Sequence, residues 1–268
     1  VRGAFSQVAS RKRNMDELSK NDDRIIDVAV GICLKGHTPP KAYHDRMLMS
    51  FCMGQRESED KLNKVSPRFR FQWFFVGEVF VPFAREQLAQ ATLNYKCDYL
   101  FMVDDDMVVP FDTFYRLAAN DKDICAALAF TRNPNHLPVA MITREGFDPA
   151  SKRPYCFKDN IMAYPRDTLF QCDAVGFGAV LIKRKVIETM PKPWFMSTSP
   201  TGEDILFCNE ARKCGFEVWM DSRIKTGHLG DSIIITEEYA DNWNKLTHEE
   251  RERKFGKYTF PTLEVARP

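Results

Sequence analysis

Tyr99-Leu100-Phe101-Met102-Val103 runs without a break into Asp104-Asp105-Asp106. Five consecutive apolar or aromatic residues have the composition of a strand buried on both faces, the kind found in sheets covered by helices. Three carboxylates directly after it repel one another, and a strand end offers no helix N-terminus to offset them. A cation is therefore expected there. Ligands of open α/β sheets bind outside the carboxyl ends of the strands, where this triplet falls. If extended geometry continues through it, Asp104 and Asp106 share a side and form a two-carboxylate site for a hard divalent ion, Mg2+ or Mn2+. The alternative is a solvated acidic turn.

Outward from the triplet, strands and helices alternate. Upstream, Ile25 to Leu34 reads as a buried first strand, broken by Lys35 to Pro40, and Pro82 to Asn94 as a helix. Downstream, Pro110 opens a helix through Asn120, and Asp123 to Phe130 is a third strand. This order predicts an α/β fold with a mostly parallel central sheet flanked by helices. Between the first strand and the first of these helices lie a helix over Lys41 to Met53, a charged loop from Arg56 to Lys64, and Arg68 to Trp73, whose period of two suits a strand with one wet face. The second half is less regular: a polar stretch from Arg144 to Asp159, an apolar run Cys172 to Ile182, a helix Glu203 to Lys213, a strand Glu217 to Met220 and a charged helix Glu237 to Lys254. We expect a polar arm over 1–24, one domain over 25–235 and a charged helix and tail over 236–268.

Composition narrows the function classes. The 268 residues are 44% hydrophobic, enough for a core that needs no disulfides. Lys+Arg is 38 against Asp+Glu 37, so the +1 chain lacks the basic field of a dedicated nucleic-acid binder. Nucleic acid enters only as a local contact, through Arg11-Lys12-Arg13 or the aromatic-basic run Arg68 to Trp73. The longest apolar stretches, Ile124 to Phe130 and Val175 to Ile182, fall far short of the ~20 residues that span a bilayer. The residues before Asp27 show no charged-then-apolar pattern, so secretion is not expected. Eight cysteines form no C-x-x-C pair and several sit in apolar runs, which predicts reduced thiols and a reducing, cytoplasmic compartment.

Two more stretches carry chemistry. Gly202-Glu203-Asp204 puts two acids at the start of an apolar-periodic helix, where one of them serves as a cap. Gly227-His228-Leu229-Gly230 sets a histidine between two glycines, which allow close approach of backbone to a ligand. The plain alternative for His228 is a surface residue.

Together, Tyr99 to Met107, Gly176-Phe177-Gly178 with Ala179 to Ile182, Gly202 to Cys208 and Gly227-His228 resemble a GT-A fold glycosyltransferase of the broad family 2 type. The resemblance spans roughly residues 25 to 231, with the elements in the family's order. It implies a single GT-A-like, Rossmann-like domain that takes a nucleotide-sugar, a UDP- or GDP-sugar, with Mn2+ or Mg2+. By it, Asp106, Asp104 and His228 are metal ligands. Asp104, Asp105, Arg85, Asp173 and Gly178 border the nucleotide-sugar, and Asp204 is the base with Glu203 as alternate. The sequence departs from the family in the long connection from Thr38 to Arg70 and in Phe177 between its glycines. Acceptors consistent with the resemblance are glycans, lipid-linked sugars, proteins, small molecules or a hydroxymethylated DNA base.

The chemistry fits independently. Breaking a sugar–diphosphate bond leaves negative charge on the phosphates, which a divalent ion stabilises, and a carboxylate is wanted to take the acceptor's proton. Trp194, Phe195 and Trp219 are sugar-stacking candidates, with a core role as the alternative. Two rivals stand beside this reading. One is a two-metal phosphoryl-transfer enzyme or nuclease, which needs a second carboxylate such as Asp173. The other is a non-catalytic GT-A-like binding module.

Overall fold

β1 (Ile25–Leu34) and β3 (Tyr99–Asp104) lie side by side and parallel, and alternate residues face opposite sides of the sheet. Leu100 and Met102 join the core on one face, Phe101 and Val103 that on the other. This computed structural model describes residues 25–34, 68–133, 135–148, 152–198, 201–230, 233–247, 249, 250 and 253. The arm expected over 1–24, the helix over Lys41 to Met53 and the loop from Arg56 to Lys64 lie outside the described residues.

The central sheet has seven strands, ordered β2-β1-β3-β10-β5-β11-β8. The further members are β2 (Arg68–Gly77), β5 (Ile124–Leu128), β8 (Leu169–Cys172), β10 (Ala179–Lys183) and β11 (Val218–Lys225). β2, β1, β3, β5 and β11 point one way, and β10 and β8 run against them. The sheet is thus mostly parallel, with β10 inserted in reverse between β3 and β5. Helices cover both faces, as the apolar strands require. α1 (Val81–Asn94) buries Ala84, Leu88 and Ala89, with Leu88 directly over Gly31 of β1. α2 (Thr113–Ala118) closes the other face with Phe114, which meets Phe69, Phe71 and Phe101. The helix expected from Pro110 thus begins three residues later, and Thr113 Oγ1 donates to Pro110 O at 2.6 Å.

After β3 the chain turns at Asp105-Asp106 and enters β4 (Met107–Val108), which pairs antiparallel with β12 (Gly227–Leu229); β13 (Ile234–Ile235) completes this small sheet. The polar stretch from Arg144 to Asp159 is a hairpin of β6 (Ala140–Asp148) and β7 (Arg153–Asn160), with β9 (Ala174–Val175) against its base. β7 is exposed along most of its length, so no buried face imprints an alternation on it. The apolar run Cys172 to Ile182 is divided among β8, β9 and β10. α3 (Arg184–Thr189) follows β10, and α4 (Glu203–Lys213) matches the expected bounds. α5 (Glu237–Lys245) stops short of Lys254 because Leu246 is extended, at φ −73° and ψ 140°. Among the described residues, no helix is long and apolar enough to cross a membrane.

Candidate functional site

Arg85 is the hub of one half of the site. It sits on α1, 3% exposed, and its Nη2 donates to both oxygens of Asp104 at 2.9 and 3.0 Å while Nη1 donates to Glu203 at 2.6 Å. The guanidinium also lies 5.4 Å from the Phe177 ring centroid, so the phenylalanine between the two glycines covers the hub. Burial alone would favour the neutral form of Arg85, but Asp104, Glu203 and Asp204 outweigh it and its pKa is raised. Glu203 and Asp204 occupy the first turn of α4, as expected. Burial pushes the Asp204 carboxyl above the usual carboxylate range, with Arg85 opposing and Glu203 adding to the rise. Asp204 Oδ1 accepts from Ile205 N at 2.8 Å.

The turn at Asp105-Asp106 breaks the extended geometry expected through the triplet, so Asp104 and Asp106 acquire different partners. Asp104 pairs with Arg85. Asp106 is fully buried, and its Oδ2 lies 3.4 Å from His228 Nε2 and 3.4 Å from Arg132 Nη1. The ladder explains the meeting: His228 stands opposite Met107, and Leu229 N donates to Asp106 O at 2.8 Å. His228 Nδ1 lies 2.7 Å from Phe130 O. A carbonyl only accepts, so Nδ1 carries the proton, and in the neutral ring Nε2 presents its lone pair to Asp106. Two acceptors then face each other at 3.4 Å, longer than a hydrogen bond.

That spacing tests the fit of a divalent ion. Adjacent ligands bonded at ~2.1 Å to one octahedral ion lie about 3 Å apart, so Asp106 Oδ2 and His228 Nε2 need shift little to share one. The shell of Asp104, Asp106 and His228 expected from the sequence is not drawn together here, and both Asp104 oxygens accept from Arg85. Among the described residues, no group of three or more His, Cys, Asp or Glu side chains is gathered to hold a metal. Two donors suit an ion that completes its shell with water and substrate phosphate, as Mg2+ commonly does.

The remaining expected residues divide. Gly178 backs the triplet: its carbonyl accepts from Asp104 N at 3.0 Å, and a Cβ there would stand 3.0 Å from Met107 Sδ. Asp105 is buried within the turn. Asp173 is engaged between β8 and β9, holding Arg212 at 2.8 Å and accepting from Thr143 N at 2.5 Å. Burial raises its pKa, but those partners bring it below the usual range. The second carboxylate that a two-metal cluster would want is thus spoken for.

The aromatic candidates are mostly core. Trp194 and Phe195 are buried, the latter stacked 4.7 Å from Phe207, while Trp219 is half-buried beneath Lys122. In β2, Phe69 and Phe71 pack on Phe114 and Tyr115, and Arg70 is bound by Asp27, so that strand's aromatic side is inward. Gly227 leaves room for protein rather than ligand, since a Cβ there would meet Ile234 Cγ2 at 2.5 Å.

Sequence reasoning missed Arg132 and the carbonyl of Phe130. Both lie just beyond the carboxyl end of β5, the position where α/β sheets gather ligand contacts, and that placement was the available signal.

No protein-family model matches the sequence, and no curated protein matches it. Among solved structures, A197 from STIV shares the fold at TM-score 0.52 and 14% identity, over 80% of this chain and 91% of that one. GalNAc-T7 with UDP, GalNAc and Mn2+ aligns at TM-score 0.43 and 12% identity, over 78% of this chain and 45% of that one. UDP-glucose pyrophosphorylase complexed with UDP-glucose aligns at 0.44 and 8%, over 82% and 97%.

Proposed function

We propose that the protein is a divalent-metal-dependent glycosyltransferase of GT-A type, moving a sugar from a UDP- or GDP-sugar to an acceptor hydroxyl. The observation that carries this reading is the pair of acceptors, Asp106 Oδ2 and His228 Nε2, held face to face at the carboxyl end of the sheet. With Nε2 unprotonated the pair attracts a cation; Arg132 Nη1 lies 3.4 Å from the same oxygen in this structure, and a divalent ion can take its place. Asp106 and His228 would hold the ion, and Phe130 O keeps the imidazole in the tautomer that ligates. When bound, the ion supplies Lewis-acid stabilisation of the charge developing on the departing diphosphate.

Asp204 takes the acceptor's proton. Its raised pKa brings its basicity closer to neutral pH, and with Oδ1 committed to Ile205 N, Oδ2 is the oxygen for that proton. Glu203, the alternate, has its carboxylate fixed by Arg85, which suits a positioning role. Arg85 and Phe177 exclude water behind the acids, and Asp104 with Asp105 borders the nucleotide.

Thermal unfolding with UDP and GDP tests the reading. Either nucleotide should raise the midpoint in Mn2+ and not in EDTA, and Asp106→Asn should abolish the difference while remaining folded. Equal stabilisation in EDTA would refute the metal-dependent site.

A further inference from the structure

Arg132 belongs to none of the residue sets expected from the sequence, yet its Nη1 stands 3.4 Å from the same Asp106 oxygen that His228 faces. The loop that carries it is pinned at its base: Phe130 bridges Pro138, Thr131 N donates to Leu137 O at 2.9 Å, and Leu137 N donates to Thr131 Oγ1 at 3.0 Å. Phe130 in that loop fixes His228, and two residues later Arg132 reaches Asp106. The Arg132 side chain is 42% exposed, so it can swing away without unmaking the loop.

We propose that Arg132 is an exchange cation: it neutralises Asp106 when no ion is bound, yields that oxygen to the divalent ion, and then pairs with the diphosphate of the substrate. This rests on the glycosyltransferase reading above. Ion and diphosphate binding then depend on each other for a reason of charge. Asp106 is the acid with which Arg132 pairs, so a divalent ion that takes this oxygen deprives the guanidinium of its partner and leaves the two cations a few ångströms apart. A diphosphate supplies the missing charge, and the planar guanidinium fork matches phosphate oxygens. By linkage, each ligand raises the affinity of the other.

The test measures Mn2+ binding by electron paramagnetic resonance of the free ion, alone and with inorganic pyrophosphate, the unit common to nucleoside diphosphates. It compares the wild-type chain with Arg132→Gln. The variant should bind Mn2+ alone about tenfold more tightly, and pyrophosphate in the presence of Mn2+ about tenfold more weakly. Arg132→Lys, which keeps the charge, should retain the weak binding of Mn2+ alone. Opposite changes distinguish exchange from general damage, which weakens both. Any result in Arg132→Gln other than opposite changes overturns the exchange and leaves the metal site standing. Failure of the wild-type chain to bind Mn2+ even with pyrophosphate overturns the site reading and the exchange together.

Discussion

Both carboxylate oxygens of Asp104 accept from one nitrogen of Arg85, at 2.9 and 3.0 Å, while the other terminal nitrogen of that guanidinium reaches Glu203. A single buried cation thus ties the end of β3 to the first turn of α4. Removing it strands two largely buried carboxylates. Arg85→Leu should cost about 3–5 kcal/mol in urea unfolding, the usual penalty for breaking a buried ion pair from one side. Arg70→Leu, which breaks the exposed pair with Asp27, should barely move the midpoint. Comparable losses for the two would show that Arg85 is not the hub.

Asp204→Asn should stabilise the fold at neutral pH. Because burial raises the folded pKa above the unfolded value of about 3.9, the ionised form costs stability. That cost is absent below about pH 4, appears as pH climbs toward the raised folded value, and is fully present above it. The amide keeps an oxygen for Ile205 N and carries no charge. The variant should melt higher than wild type at pH 7, with the gap closing toward pH 4, and should lose transfer while retaining nucleotide. A lower midpoint at pH 7 would contradict the sign.

Two histidines should separate cleanly. His228→Ala should weaken Mn2+ binding at least tenfold with little change in melting. His136 is 4% exposed, with its ring 5.2 Å from Tyr239 and 5.1 Å from Trp243 of α5. His136→Ala should therefore cost about 1–3 kcal/mol of stability through lost packing and leave Mn2+ affinity unchanged. Titration with Mn2+ beside a melt of each variant decides both.

Gly31 lets α1 settle on the sheet. A Cβ at that position would lie 2.8 Å from Leu88 Cδ1 and 3.0 Å from Cδ2, with Leu88 itself fully buried. Gly31→Ala should destabilise by about 1–3 kcal/mol through overpacking, and Leu88→Ala in the same chain should recover part of that loss. Additive losses in the double variant would show that the two do not share the space.

Thiol reactivity should follow burial. Cys125 and Cys208 are buried, with burial pushing each thiol up to about 12, and Cys97 is pushed up to about 11. Cys156 is exposed on β7. Iodoacetamide at pH 8 should label Cys156 in the folded protein and reach Cys97, Cys125 and Cys208 only in denaturant. Rapid labelling of the three buried thiols under native conditions would contradict the core.

Much of the fold was legible because its central strands carry their own signal. β1, β3 and β5 are largely apolar runs, and α4 opens on two acids and keeps its apolar period to Lys213. Strand direction was not legible: Ala179 to Lys183 reads as a buried strand whichever way it runs, so the reversal of β10 needed the structure. In the site, Asp106 and His228 were visible as a carboxylate after a strand and a histidine between glycines. Their separation from Asp104 was not, because it depends on a two-residue turn that adjacent aspartates do not announce. Phe130 contributes a carbonyl, which every residue has, and Arg132 is one arginine in a polar loop, so neither stood out by type.

The site also has an order of assembly written into it. Glu203 meets Arg85 across 118 residues of chain and His228 meets Phe130 across 98, so each half closes through contacts of high sequence separation. Loop-closure entropy delays such contacts in folding, and during synthesis the acids of the triplet emerge well before the imidazole that faces them. The proposed centre is then completed by the last strands to dock, and a chain arrested before Gly227 would hold all seven strands of the large sheet without the imidazole that faces Asp106.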